Sequence, residues 1–467
     1  MKKKTLTMAL ASLAAAAVLS GCSGGQTGET TQKQSGQTQE SGGTQADTEA
    51  GSTEAAASEE AAEPVTLRFA SWQSNHAEAN QAVADAYHEL NPNVTVEFEY
   101  LGDMNAADYM QKVDVMIMGG EPLDIVMTDS LMSYTVRASS NAYLPVDSFF
   151  EAEGTTAEDM FEVVVKVDDQ VYGIPAEMKY NNLVLINKDM LDAAGLPVPD
   201  LNWTWDDYRD YAIKLTQGSG ADTIYGSFFR SGANVFGINA AKQGNPYFYD
   251  DGTLTFEDPI WSRFLAFRYN LENTDKASTP QTDIKALNLN YRDQFFSGKV
   301  AMMPLGTYVL SDIGNEKYAH DFTTTFARMP LWEDDDEHYN TAEATVFSIA
   351  RTSEHPQEAF DFLKFWSTEG VNIKGMFMSN EKGVDRADSV KRIVASFEDM
   401  VDMDALTAIM EDEKWIDSYP ESTPTYQNEI SDMEIEETDK YLLGSQSLEE
   451  TISNMMRRGN EIIEANK

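Results

Sequence analysis

The chain has 467 residues, of which 78 are Asp or Glu and 34 are Lys or Arg, giving a formal net charge of −44. A chain this acidic repels nucleic acid and anionic lipid headgroups, which argues against nucleic-acid binding. The charge also weakly disfavours a phosphorylated or carboxylated ligand. The single cysteine excludes a disulfide framework and a zinc site built on paired cysteines.

The first 22 residues predict export. Residues 2–4 are lysines, and the apolar run over residues 6–19 is shorter than the roughly 20 residues that a membrane-spanning helix needs. Residues 1–21 are therefore a predicted signal peptide. The run ends in Leu19-Ser20-Gly21-Cys22, which resembles the bacterial lipobox, whose cysteine is lipidated and begins the mature chain. The alternative is an ordinary signal peptide with a chance cysteine.

Residues 22–63 are predicted to be the lipidated Cys22 followed by a disordered tether. Residues 23–63 contain no aromatic and no branched aliphatic side chain. Such a segment cannot bury enough apolar surface to offset the entropy cost of ordering. The tether would hold a folded body at the extracellular face of the membrane, and its length favours a Gram-positive cell surface.

Strand-like and helix-like segments alternate from residue 65 onward. Residues 65–70, 94–100 and 123–127 are predicted strands, and residues 77–90 and 109–118 are predicted helices. This order predicts an α/β fold with a parallel sheet and right-handed crossovers. The roughly 400 residues after the tether exceed one compact core, so two domains are expected.

Residues that follow the first and third predicted strands are candidates for a binding site, because ligands of open parallel sheets lie beyond the carboxyl ends of the strands. Trp72 and Asn75 follow the first strand, and Asp129 follows the third. Trp72 stands in a polar loop, where ligand contact is a more natural role than core packing. Asp129 could accept a hydrogen bond from a ligand hydroxyl or could equally cap a helix.

Local signals predict several helix ends later in the chain. Gly195 is a predicted C-cap, and Thr204 is a predicted N-cap for a helix over residues 205–216. Residues 447–465 predict an amphipathic helix. Trp366 lies on another predicted helix, where we expect it to be part of the core.

Several short blocks follow one another in a characteristic order. They are Tyr172-Gly173-Ile174-Pro175, Asn187-Lys188-Asp189-Met190-Leu191, Ala194-Gly195-Leu196-Pro197, Thr204-Trp205-Asp206-Asp207, Phe295-Phe296-Ser297-Gly298-Lys299-Val300-Ala301-Met302-Met303, Phe347-Ser348-Ile349-Ala350 and residues 359–365. Together they resemble the family 1 extracellular solute-binding proteins, the group that contains the maltose- and oligosaccharide-binding proteins. The resemblance covers nearly all of residues 64–467.

The resemblance implies two α/β lobes, each a mainly parallel sheet flanked by helices, hinged with the ligand between them. Lobe 1 would comprise residues 64–175 plus 348–400, and lobe 2 residues 176–347 plus 401–467. Chain crossings are expected near residues 174–177, 345–349 and 395–410. Two departures from the family pattern concern the pocket rather than the fold: Ile186 replaces a tyrosine, and residues 341–344 lack a glycine pair.

A sugar presents apolar C–H faces and a rim of hydroxyls, so its site needs aromatic rings and polar side chains. The resemblance implies ligand contacts for Tyr180 and Tyr308. Glu343, just before a predicted crossing, is a further candidate. Trp332 and Trp415 are candidates too, although a tryptophan in a loop could equally cover the edge of a lobe.

As a function, the resemblance implies a lipoprotein of an ABC importer that captures a mono- or oligosaccharide by hinge closure and delivers it to a membrane permease. It also implies a monomer with no catalytic residues, no cofactor and no metal. The acidic run over residues 333–337 lacks EF-hand spacing and is predicted to be a solvated loop. Two alternatives stay open: a binder of peptide, polyamine or cation on the same fold, and a surface glycosidase.

Overall fold

We describe the fold from a computed structural model of the chain. The structure describes residues 63–102, 105–128, 130–181, 183–232, 234–241, 244–333, 338–412, 415–418 and 424–466. The predicted signal peptide, Cys22, nearly all of the predicted tether and Asp129 lie outside these residues. None of the described helices is both long and apolar enough to cross a bilayer.

The strands and helices alternate along the chain. The strands are β1 (Val65–Ser71), β2 (Val94–Tyr100), β3 (Ile125–Met127), β4 (Lys166–Val167), β5 (Gln170–Val171), β6 (Ile174–Tyr180), β7 (Leu183–Asn187), β8 (Tyr225–Ser227), β9 (Val300–Leu305), β10 (Thr324–Arg328), β11 (His338–Ile349), β12 (Met378–Ser379) and β13 (Trp415–Ser418). The helices are α1 (Ala77–Leu90), α2 (Ala106–Gly119), α3 (Leu131–Ser139), α4 (Asp147–Ala152), α5 (Ala157–Met160), α6 (Lys188–Ala194), α7 (Trp205–Leu215), α8 (Asn234–Asn239), α9 (Pro259–Tyr269), α10 (Gln281–Leu287), α11 (Tyr291–Phe296), α12 (Leu310–Ile313), α13 (Pro356–Phe365), α14 (Val371–Lys374), α15 (Arg386–Val394), α16 (Met403–Met410), α17 (Gln427–Leu442) and α18 (Leu448–Ala465). This alternation confirms the predicted α/β class.

The first sheet has the strand order β12-β6-β11-β3-β1-β2, and β13 pairs with the start of β11. β1 runs parallel to both β2 and β3, which confirms the parallel arrangement predicted from the alternating segments. β11 is antiparallel to β3 and to β6. The sheet is therefore mixed, with its parallel part built from the N-terminal segments.

The second sheet has the order β10-β7-β9-β8. Only β8 and β9 are parallel, while β7 is antiparallel to both β9 and β10. The expectation of a mainly parallel second sheet was wrong. The reason is topological: the chain enters this sheet at the start of β7 and leaves it at the end of β10, and these two points lie side by side, with Leu183 opposite Arg328.

Helix caps match the local sequence signals. Thr204 and Asp207 form a reciprocal capping box at the start of α7, and Gly195 ends α6 in the left-handed region with φ 69°. Only glycine adopts that backbone conformation without steric cost. Ser447 caps α18 in the same way as Thr204 caps α7. The predicted caps at Thr204 and Gly195 are confirmed, and α18 confirms the helix predicted over residues 447–465.

Buried side chains form a core on each sheet and across their junction. Trp366 is 1% exposed and packs with Phe69 and Phe347 on the first sheet, which confirms its predicted core position. A separate cluster covers one face of the second sheet beneath α7, α9, α17 and α18. A third cluster runs from Tyr180 in β6 to Leu183 in β7. The two sheets therefore share apolar core at the point where the chain passes between them.

Other connections also link the sheets. The chain returns from β10 to β11, and later reaches the edge of the second sheet at Val401, which bridges Thr324 beside the N-cap of α16. The predicted lobe bounds, residues 64–175 plus 348–400 and residues 176–347 plus 401–467, stay a prediction.

A buried ion pair holds β6 in place. The Lys374 Nζ lies 2.6 Å from Glu177 Oε1, and both side chains are at most 1% exposed. Burial lowers the pKa of Lys374, and the Glu177 carboxylate opposes that change. The ammonium also lies over the rings of Trp366 and Phe377. Removing one partner would leave the other charge buried and uncompensated.

We expect Lys374→Met to lower the free energy of unfolding by about 3–5 kcal/mol, because it strands the Glu177 carboxylate in the core. Denaturant unfolding followed by tryptophan fluorescence measures this loss. The double variant Lys374→Met/Glu177→Leu should recover most of it, since the buried charge is then gone. A double variant as unstable as the single one would contradict this explanation.

Candidate ligand-binding site

The turn after β9 packs directly against the end of β6. The Tyr180 N–H donates a hydrogen bond to Thr307 Oγ1 at 3.0 Å. A Cβ atom on Gly306 would lie 2.5 Å from the Tyr180 carbonyl oxygen, so no larger residue fits without moving the backbone. This close approach places Tyr308 beside the chain crossing between the two sheets.

Tyr308 is half-buried and is surrounded by charged and aromatic side chains. Its hydroxyl is buried and finds no partner of ordinary hydrogen-bond geometry in the described part of the chain. Burial raises the pKa of Tyr308, and Glu343 adds to the rise, while Arg230, Arg292 and the Tyr291 hydroxyl oppose it. We call these five residues the Tyr308 cluster. The cluster joins two tyrosine rings, a carboxylate and two guanidinium groups from separate chain segments.

Two predicted site residues, Glu343 and Tyr180, lie on paired strands of the first sheet. Glu343 on β11 is exposed and stands opposite Lys179 on β6. Tyr180, the next residue on β6, is only 5% exposed, and the Arg386 guanidinium lies 5.2 Å from its ring centre. A cavity of about 70 Å³ adjoins this ring. Successive strand residues point to opposite faces, so the Tyr180 ring lies on the face of β6 away from Lys179 and Glu343. Of these two candidates, only Glu343 acts on Tyr308.

The loop after β1 approaches the same strands. Trp72 is half-buried with its indole N–H unpartnered among the described residues, and Asn75 is exposed. His76 Nδ1–H donates to Gln73 Oε1 at 2.8 Å, and its ring lies 6.0 Å from that of Phe377. The Phe377 ring also lies 5.7 Å from Lys179 Nζ on β6. Phe377 therefore connects the loop after β1 to β6.

Trp332 is placed elsewhere, while Asp129 and the Trp415 side chain are not described by the structure. Trp332 is partly buried and packs against the core of the second sheet, 5.7 Å from the ring of Trp205, with the Arg263 guanidinium 4.4 Å from its ring centre. These contacts account for Trp332 as a packing residue. Only the backbone of Trp415 is described, in a pair with His338, and Asp129 lies outside the described residues.

Sequence reasoning missed the cationic part of the site. Arg230 follows β8, at the carboxyl end of a strand, so the rule that suggested Trp72 could have found it. Tyr291 and Arg292 begin a short helix after the N-cap Asn290, and no local pattern distinguishes them from surface residues. Only the fold brings them to Tyr308.

A wider depression of about 540 Å³ lies elsewhere, lined by residues that include Asn187, Asp189, Phe296 and His320. All of its lining comes from elements of the second sheet and its neighbouring helices and loops. The Tyr308 cluster differs in that both sheets contribute side chains, which makes it the candidate ligand site. No group of three His, Cys, Asp or Glu among the described residues is placed to hold a metal ion.

A family comparison identifies the chain. Residues 71–373 match the model of the bacterial extracellular solute-binding protein family. The chain belongs to this family. The fold described above is that of its two-lobed relatives, as the resemblance implied.

Known proteins similar to this solute-binding protein are distant in sequence. A lipoprotein of Streptomyces antibioticus, encoded in the oleD 5′ region and described as uncharacterized, is 23% identical over 257 residues, 52% of this chain and about half (54%) of that protein. A sugar transporter of Rhizobium etli in an open conformation is 20% identical, with a TM-score of 0.67 over 86% of this chain and 100% of its own.

A third similar protein is an ABC substrate-binding protein of Listeria monocytogenes, solved in complex with cycloalternan. It is 19% identical, with a TM-score of 0.69 over 86% of this chain and 99% of its own. At such identities the two solved structures support the fold of the solute-binding protein, and its ligand has to be argued from its own residues.

His76 gives the site a measurable pH signature. Burial, together with the charges of Lys374 and Lys179, lowers the pKa of His76 to about 3. Between pH 6.5 and about 3, the unfolded chain therefore binds a proton at this residue that the folded chain does not. Stability is lost as the pH falls through this window.

We expect His76→Asn, which keeps a donor for Gln73, to flatten the loss of stability below pH 6.5 by up to about 1.4 kcal/mol per pH unit. Thermal unfolding of both proteins at pH 7.5, 6.5, 5.5 and 4.5 measures the difference. His355→Asn, at the start of α13, controls for the loss of a histidine elsewhere. Parallel pH profiles for wild type and His76→Asn would contradict the assignment.

Proposed function

We propose that this solute-binding protein is the lipid-anchored capture subunit of an ABC importer and that its solute is a carbohydrate. The observation that carries the proposal is the position of Tyr308, a half-buried ring at the junction of two sheets, with Glu343 and two arginines around it. An aromatic face suits the C–H face of a sugar, and the polar groups suit its hydroxyls. The sugar transporter and the cycloalternan complex among its structural relatives favour the same solute class.

Capture would proceed by closure of two lobes about the chain crossings. Tyr308 and Arg230 follow strands of the second sheet, whereas Glu343 and Trp72 belong to the first. A solute that contacts both groups at once binds the closed form more tightly than the open one and so shifts the population towards closure. The protein then needs no catalytic residue and no cofactor.

Delivery requires a membrane permease as partner. In this proposal the closed form docks on the permease, which reopens it and takes up the solute. The protein acts as a monomer, and its lipid anchor at Cys22 holds it at the extracellular face of the membrane, with residues 23–63 as the tether. The lipoprotein from Streptomyces antibioticus is consistent with such an anchor.

A panel of saccharides tests the solute class. A ligand present at about 100 times its dissociation constant stabilises the folded protein by about 2.7 kcal/mol, which raises the melting temperature by several degrees. We expect at least one mono- or oligosaccharide to do so and to be recovered chemically intact. Cleaved oligosaccharides would identify a glycosidase instead, and a shift with peptides or polyamines alone would exclude a sugar.

We expect Tyr308→Ala to weaken binding of the saccharide identified in that panel by about 1–3 kcal/mol, because a stacking face is lost. Isothermal titration calorimetry measures the change. Tyr249→Ala, at a tyrosine that is 40% exposed and outside the Tyr308 cluster, is the matched control. Unchanged affinity in Tyr308→Ala would remove this ring from the site.

We expect Cys22→Ser in the full chain to abolish lipidation, since the acylated sulfur is lost. Two acyl chains suffice for stable membrane attachment, so the variant should move from the detergent phase to the aqueous phase in detergent partitioning. Ser35→Ala, within the predicted tether, should partition like wild type. A Cys22→Ser protein that stays in the detergent phase would contradict lipid anchoring at this residue.

A further inference from the structure

The loop after β8 presents Arg230 from a fixed backbone. On one side, the Phe229 carbonyl accepts a hydrogen bond from Arg268 Nη2 at 3.3 Å, and the Phe229 ring is 1% exposed. On the other side, the Ser231 hydroxyl accepts from Gln281 Nε2 at 3.2 Å. Both neighbours are held by buried side chains, so the backbone that carries Arg230 is fixed in place.

Aromatic rings hold the guanidinium group of Arg230. Its Cζ atom lies 5.0 Å from the ring centre of Phe236 and 5.8 Å from that of Tyr291. Such cation–π contacts orient an arginine but leave its N–H donors unused. The group is thereby held in the Tyr308 cluster with its hydrogen-bonding capacity free.

Arg230 makes no ion pair and no side-chain hydrogen bond with any residue that the structure describes, and its Nε atom is buried. Most other described arginines do pair with a carboxylate: Arg68, Arg137, Arg209, Arg263, Arg268, Arg292, Arg328, Arg457 and Arg458. With 78 acidic residues in the chain, an arginine without a partner is unusual. A buried donor that lacks a partner is unfavourable, and an acceptor on a bound solute would relieve that cost.

A second arginine, Arg292, shares the Tyr291 ring with Arg230 and lies 4.7 Å from the centre of that ring. Arg292 lies 6.0 Å from the Tyr308 ring centre, with its Nε 2.6 Å from Asp312, and that carboxylate offsets its charge. Lys179 forms no ion pair among the described residues, and it stands opposite Glu343 on the neighbouring strand. Glu343 is the one member of the Tyr308 cluster with a negative charge.

We infer that the captured solute carries an anionic oxygen group, a carboxylate, sulfate or phosphate ester, and that Arg230 binds it. The inference rests on the proposed function and narrows its solute from saccharides in general to acidic saccharides. An arginine fork matches the geometry of these groups with two parallel hydrogen bonds. The net charge of the chain, which weakly disfavours such ligands, acts from a distance and is screened by salt, whereas Arg230 acts in contact.

The test compares acidic saccharides with their neutral parents. Calorimetry with the full chain uses a uronic-acid oligosaccharide, a sulfated sugar and a sugar phosphate, each beside its uncharged counterpart. At least one acidic member should bind more tightly than its parent, and its affinity should fall as salt is raised from about 0.05 M to about 0.5 M. Comparison of the carboxylated, sulfated and phosphorylated ligands shows which anionic group the protein binds most tightly.

We expect Arg230→Gln to weaken binding of that acidic saccharide about 10- to 100-fold and to change binding of its neutral parent less than about threefold, because only the charged partner is lost. Arg457→Gln removes the same charge from an exposed site on α18 and should leave both affinities within about twofold. Melting temperatures of the two variants check that both fold.

Each other result overturns the inference. Tight binding of neutral saccharides with no preference for acidic ones would refute it and leave the carbohydrate importer intact. Equal weakening of acidic and neutral ligands by Arg230→Gln would show that Arg230 serves closure, for example by pairing with Glu343. If no saccharide of either set binds, the carbohydrate proposal fails together with the inference.

Discussion

The backbone pairing of β6 with β11 is the constraint on which the rest of the structure depends. These antiparallel strands lie where the chain leaves the first sheet and where it returns, and their ladder runs from Ala342 opposite Tyr180 to Phe347 opposite Ile174. A bulge interrupts it beside Pro175, which has no N–H to contribute. The ladder fixes the distance between the two connections, and the Tyr308 cluster is placed beside it.

Charge acts on two scales in this protein. Across the chain, acidic residues outnumber basic ones by more than two to one, which favours solubility and repels polyanionic surfaces. Near Tyr308, however, Arg230 on the loop after β8 and Arg292 on α11 bring positive charge to one ring. Long-range repulsion decides which large partners approach, while contact hydrogen bonds decide which small solute stays. The amino-acid composition therefore predicts the long-range repulsion but cannot predict the contact hydrogen bonds.

Local signals predicted local structure well, and contacts between distant segments account for what was missed. The capping box of Thr204, the left-handed Gly195 and the parallel β1–β3 unit follow from neighbouring residues, so they were predictable. The antiparallel order of the second sheet depends on where two crossings meet. Trp332 packs against Trp205, more than a hundred residues away, and Arg230 meets Tyr291 only in the folded chain. No periodicity in the sequence encodes such meetings.

The contact between Gly306 and the Tyr180 carbonyl has a consequence for how such a protein can change its solute. The turn that carries Tyr308 has no room for a side chain at its first position, and Thr307 is hydrogen-bonded to β6. Lengthening this turn would break both contacts. New specificities must therefore arise by exchanging the side chains that the turn and its neighbours display, rather than by inserting residues, and the recognition surface can diversify while its framework stays constant.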